Sequence, residues 1–88
     1  MKVEFLKKFS KDVDNLGVKS TKSQLSHTIE LIESVTSLDQ IHNLKKLKGH
    51  RSAYRIRVGN YRLGFFFENN IILLARFLHR KDIYKIFP

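Results

Sequence analysis

The segment from Ser52 to Glu68 constrains this chain more than any other. Tyr54, Ile56 and Val58 alternate with Arg55 and Arg57, Gly59-Asn60 interrupts, and Tyr61 to Glu68 returns. Period-two alternation on both sides of such a pair predicts a β-hairpin with a two-residue turn. That turn leaves no freedom of register: Val58 faces Tyr61, Arg57 faces Arg62, and Arg55 faces Gly64. It also leaves an apolar face to be covered, since a lone hairpin is marginal in water.

The rest of the chain offers the cover. Lys2 to Leu6 alternates and predicts a short opening strand. Phe9, Val13 and Leu16 follow at helical spacing, with Gly17 as the stop. Thr21 and Gln24 match a capping box, and Leu25, Ile29 and Ile32 then recur along one stripe with Thr28 and Val35. Asn69-Asn70 marks a second turn, after which Ile71 to Leu78 is apolar on both faces and belongs inside the sheet. In the tail, Ile83 and Phe87 are four apart and predict a last helical turn. The expected class is α+β. One small domain over residues 1–88 would carry a mostly antiparallel sheet, two N-terminal helices packed on one face and a short C-terminal helical tail.

Composition narrows the setting. The 88 residues include no cysteine, which removes disulfides, Cys-ligated zinc and thiol nucleophiles together. Met1-Lys2-Val3-Glu4-Phe5 places an acid where a signal peptide would begin its apolar run. The longest apolar run, Ile71 to Ala75, is far too short to cross a bilayer. A soluble, cytoplasmic protein with no membrane association is expected.

Charge is unevenly placed. Lys and Arg number 17 against 8 Asp and Glu, a formal net charge of +9. Residues 1–44 balance six lysines against six acids, so residues 45–88 carry the whole excess. All six arginines lie at Arg51 or beyond. A one-sided field of this kind is aimed at an anion, with nucleic acid the first candidate.

Hairpin register sharpens that expectation. Arg55, Arg57 and Arg62 share the face opposite Tyr54, Ile56 and Leu63, and Arg57 stands directly across from Arg62. Like charges so paired repel unless an anion lies between them. Gly64, in mid-strand beside them, predicts a close approach by a ligand. The arrangement suggests a phosphate floor, gripped bidentately by guanidinium groups. Strand arginines also guard sheets against aggregation, but three around one glycine favour the anion. Of Phe65, Phe66 and Phe67, only Phe66 shares this face. Arg80 and Tyr84, four apart, share a face of the tail, where Tyr84 serves equally well as a packing residue.

Several chemistries have no residues to carry them. Paired carboxylates, histidines at ligand spacing, a glycine-rich phosphate loop and a Ser-His-Asp set are all missing, so no metal and no cofactor is expected. A metal-dependent nuclease would want several acids, and residues 45–88 offer only Glu68 and Asp82. Cleavage of RNA would then rest on charge stabilisation and the RNA's own 2′-hydroxyl.

Three runs carry a resemblance: Lys46-Leu47-Lys48-Gly49, the stretch from Tyr54 to Leu63, and Leu78-His79-Arg80-Lys81-Asp82-Ile83-Tyr84. Together they resemble the RelE/ParE superfamily of toxins from type II toxin–antitoxin systems, over essentially the whole chain. The RelE branch implies a metal-independent endoribonuclease that cuts messenger RNA on the ribosome. On that resemblance Arg62 and Arg80 hold the scissile phosphate, Arg55 and Arg57 orient the backbone, and Tyr84 stacks on or orients the nucleotide. RelE-type enzymes often carry lysines where this chain has Arg55 and Arg57. Arginine stays protonated and cannot serve as a base, so His79 becomes the candidate general base, with Tyr84 behind it. Lys45, Lys46, Lys48, Arg51, Arg76 and Lys81 are expected to contact RNA or the ribosome. The resemblance also implies a cognate, RelB-like antitoxin, and the lack of an obvious exposed apolar stripe predicts a toxin that is itself monomeric. The ParE branch implies a gyrase inhibitor instead. A non-catalytic, basic nucleic-acid-binding module is the third possibility.

Overall fold

The structure is a computed structural model that describes residues 1–88. In chain order it contains strand β1 (Lys2–Phe5), helices α1 (Lys7–Asp14) and α2 (Lys19–Ser34), a 3-10 turn (Leu38–Gln40), strands β2 (Leu44–Lys46), β3 (Ala53–Val58), β4 (Tyr61–Glu68) and β5 (Ile71–His79), and helix α3 (Ile83–Ile86). The strands form one sheet in the order β1-β5-β4-β3-β2, as expected for the α+β class. β1 runs parallel to β5, and the other neighbours are antiparallel.

The hairpin has the register its turn demands: Val58 with Tyr61, Arg57 with Arg62, Arg55 with Gly64. Gly59 takes φ +59° at the first turn position, and Asn69 and Asn70 both take positive φ in the next turn. Asparagine is among the few residues that accept this conformation, which is why the pair marks a hairpin. β5 lies inside the sheet, buried between β1 and β4. It carries one bulge: Gly64 faces Arg76 while Phe65 faces Leu74, leaving Ala75 as the extra residue.

The two faces of the sheet are covered unequally. On one, Phe9 of α1 and Leu25 and Ile32 of α2 meet Ile56, Val58, Leu63, Phe65, Ile72, Leu74 and Phe77 in the main core. On the other, Leu47, Ala53 and Ala75 are capped by Ile83 and Phe87 of the tail. The predicted i, i+4 pair of the tail is therefore real packing, and Phe87 N–H closes it on Ile83 O at 2.7 Å.

Two local expectations need correction. Thr21 and Gln24 do not cap α2, which starts two residues earlier with Val18 at its N-cap and no side-chain cap. Val18 O accepts the Lys22 amide, so Thr21 already lies in the first turn. Gly17 is not the residue that ends α1, which stops at Asp14 with Asn15 as its C-cap. No helix is long and apolar enough to cross a membrane.

Candidate nucleic-acid interface

Strand parity places Arg55, Arg57 and Arg62 on the face away from α1 and α2. Arg55 is half-buried: its Nε donates to Tyr84 Oη at 3.1 Å and its Nη1 to Asn43 O at 2.8 Å. Arg57 is exposed and donates from Nη2 to Asn43 Oδ1 at 3.3 Å. Arg62 folds back on its own turn, donating from Nη1 to Gly59 O at 3.0 Å and Tyr61 O at 2.9 Å. The two arginines that oppose each other across the ladder thus turn to different neutral acceptors. That relieves their repulsion without an anion between them.

No carboxylate neutralises this surface. The two ion pairs in the molecule are Lys2–Glu4 and Arg76–Asp12, both elsewhere. Lys45 of the edge strand stands directly opposite Arg55 and extends the same row of cations, while Lys46 faces Tyr54. The result is an open cationic surface rather than a pocket, suited to an extended anion.

Gly64 does not hold an open floor. A Cβ there would lie 2.7 Å from the Phe87 ring, so the close approach that the glycine permits is made by the protein's own tail. The same packing delivers Tyr84 to Arg55. Phe66 shares this face as expected, with its ring 5.2 Å from Phe87 and 5.3 Å from His50.

Other expected site residues lie apart. Arg80 is exposed beside the hairpin turn, its amide bonded to Asn60 O at 2.8 Å. His79 is opposite Tyr61, its ring against that tyrosine on the helix-bearing side, with Nδ1 accepting the Lys81 amide. It is therefore not brought to the arginines, whereas Tyr84 is. Lys48, Arg51 and Lys81 are exposed on loops.

Arg76 follows the parity of the row, yet its guanidinium turns to α1. Nε and Nη2 donate to Asp12 Oδ2 and Oδ1 at 2.8 and 3.0 Å, and Oδ2 also accepts the Phe77 amide at 2.9 Å. The hydrogen bond to Asp12 is the main reason the Arg76 pKa is raised above its ordinary value, with burial opposing it and the carboxylate charge adding to it. Beyond Phe5 the strand β1 no longer covers this edge of β5, and Asp12 satisfies it instead.

Asn43, unremarked in the sequence, touches both Arg55 and Arg57. It sits at φ +63° just before β2, and the signal for it in the sequence is its residue type, since asparagine tolerates the left-handed region.

The likeness to known proteins agrees with this fold. Residues 3–84 match the family model for the ParE toxin of type II toxin-antitoxin systems. The chain is 42% identical to Toxin RelE3 of Methanocaldococcus jannaschii over 89 residues, covering all of both chains. It is 27% identical to Putative toxin RelE1 of the same organism, covering 94% of this chain and 93% of the other. Among solved structures, the RelB-RelE antitoxin-toxin complex from Methanococcus jannaschii matches with a TM-score of 0.79 and 37% identity, over 97% of this chain and 99% of the other. The archaeal RelE-RelB complex from Pyrococcus horikoshii shares the fold at a TM-score of 0.71 and 20% identity, over 93% and 97% of the two chains. A small α+β domain whose sheet presents three hairpin arginines without a carboxylate partner is the class defined here. The chain belongs to the RelE/ParE superfamily and is a toxin of the type II toxin–antitoxin kind.

Proposed function

We propose that this toxin is an endoribonuclease that cuts messenger RNA on the ribosome. The observation that carries the reading is the Arg55–Tyr84 hydrogen bond of 3.1 Å. It fixes a phenol against a guanidinium among hairpin arginines that have no carboxylate partner. Arg55, Arg57 and Arg62 would engage the phosphates around the scissile bond, with Arg80 at the margin of the surface. The RNA's 2′-hydroxyl gives up its proton to solvent water as its oxygen attacks the adjacent phosphorus; a 2′,3′-cyclic phosphate forms as the bond to the 5′-oxygen breaks, and that oxygen takes up a proton. The arginines stabilise the charge that gathers on the phosphoryl oxygens. Tyr84 is the one hydroxyl of the expected set, it is bonded to Arg55, and its O–H can deliver a proton to an oxygen of that group. An open surface suits this role, because the ribosome would hold the RNA against it.

A cationic toxin of this kind calls for an acidic, partly disordered antitoxin. We place it over the arginine face or in the position of the tail that bears Tyr84. The ParE family match supports a second reading, inhibition of gyrase through protein contact.

Primer extension on messages from briefly induced cells separates the two. Codon-phased cuts that disappear with Arg62→Ala and drop about 100-fold or more with Tyr84→Phe are expected. Intact messages in arrested cells, with loss of gyrase supercoiling, would replace the ribonuclease reading.

A further inference from the structure

Asn43 lies where the loop after the 3-10 turn enters β2, and it accepts three hydrogen bonds from two arginines. Its main-chain oxygen accepts Arg55 Nη1 at 2.8 Å and the Arg57 amide at 3.2 Å, and its Oδ1 accepts Arg57 Nη2 at 3.3 Å. Its backbone sits in the left-handed region, at φ +63°. Arg55, so held, presents Nε to Tyr84.

Left to themselves these side chains would not stay in place. Arg57 is exposed and opposes Arg62, so repulsion and rotamer entropy both favour its swinging into solvent. A carboxylate at position 43 would restrain it more firmly, but would cancel the charge that draws a phosphate. An amide oxygen supplies an acceptor with no net charge. We propose that Asn43 is a positioning residue of this surface, holding Arg55 and Arg57 in line for an RNA phosphate without neutralising them. This rests on the ribonuclease reading above.

Two substitutions separate its tasks. Asn43→Gly keeps the left-handed backbone and its carbonyl and removes only Oδ1. Its melting temperature should match the parent's. Rotation about the Arg57 Nε–Cζ bond, followed by guanidinium ¹⁵N line shapes, should quicken. Cleavage of a translated message on programmed ribosomes should slow about fivefold, the worth of one modest charge-assisted hydrogen bond. Asn43→Asp should keep Arg57 restrained and the protein no less stable. Its binding to a single-stranded RNA should nevertheless weaken, and the salt dependence should flatten by about one phosphate contact.

An Arg57 as restrained in Asn43→Gly as in the parent would overturn the proposal. So would parental cleavage by that variant, or parental RNA binding by Asn43→Asp. Arg57→Ala tells this failure from that of the underlying reading. If Arg57→Ala cleaves at the parental rate while Asn43→Gly has visibly freed Arg57, it is the assignment of Arg57 to the RNA site that falls, and this inference with it.

Discussion

The two faces of the sheet do different work. The helix-bearing face buries ten residues in a continuous core, and no charged group enters it. The opposite face buries five, under a tail of a few residues, and gives the remaining area to Arg55, Arg57 and Arg62. Apolar burial contributes about 25 cal/mol per Å², so the first face carries most of the stability. The second is left free to hold like charges side by side. The same division separates the arginines themselves. Arg76 is paired, partly buried and tied to α1, whereas the hairpin arginines lean only on neutral oxygens.

The strongest way to break this division is on the core face. Phe65→Ala removes a fully buried ring and should destabilise by about 3–5 kcal/mol, enough to unfold much of so small a protein at 37 °C. Denaturant unfolding followed by circular dichroism measures it. Next comes Asp12→Ala, which strands Arg76 and the Phe77 amide and should cost about 2 kcal/mol. The pH dependence of that loss has a definite sign. Because the pKa of Arg76 is raised, its contribution is complete below arginine's ordinary value and fades only as pH climbs beyond it. The gap between Asp12→Ala and the parent should therefore stay constant from neutrality to about pH 10.

Smaller effects probe the other face. Gly64→Ala forces a methyl group against Phe87, and should cost about 1–2 kcal/mol chiefly by lifting the tail. Faster amide exchange at Phe87, with the core amides unchanged, would show it, and a Phe87→Ala background should erase most of the penalty. Arg62→Ala should change stability least, within about 0.5 kcal/mol and toward a gain, because it removes half of a repulsive pair. A large loss there would mean that the arginine face supports the fold after all.

Local chemistry decided how much of this was legible in the sequence. The hairpin register, the stripe of α2 and the Ile83–Phe87 pair depend on neighbours in the chain, and all three were readable. What failed depended on distance. Arg76 looked like one more surface cation because its partner, Asp12, lies 64 residues away. Gly64 looked open because the ring that fills it comes from the tail. His79 sat at the end of a strand apolar on both faces, with a bulge at Ala75, so its side could not be assigned by parity. Thr21 and Gln24 matched a capping motif by type, but the helix had room to begin earlier at Val18.

The parallel pairing of β1 with β5 has a consequence for how the protein comes into being. Lys2–Phe5 finds its partner only at Ile71–Leu74, so the sheet is closed by a contact that spans nearly the whole chain. Such non-local closure slows folding, since the entropy of the long loop is lost before the contact repays it. On a growing polypeptide, β3 and β4 can pair before Tyr84 and the tail that steadies the arginines are made. The cationic surface is therefore assembled only after the hairpin has been made, and a chain cut short before Ile71 has the arginines of the hairpin without the frame that aims them.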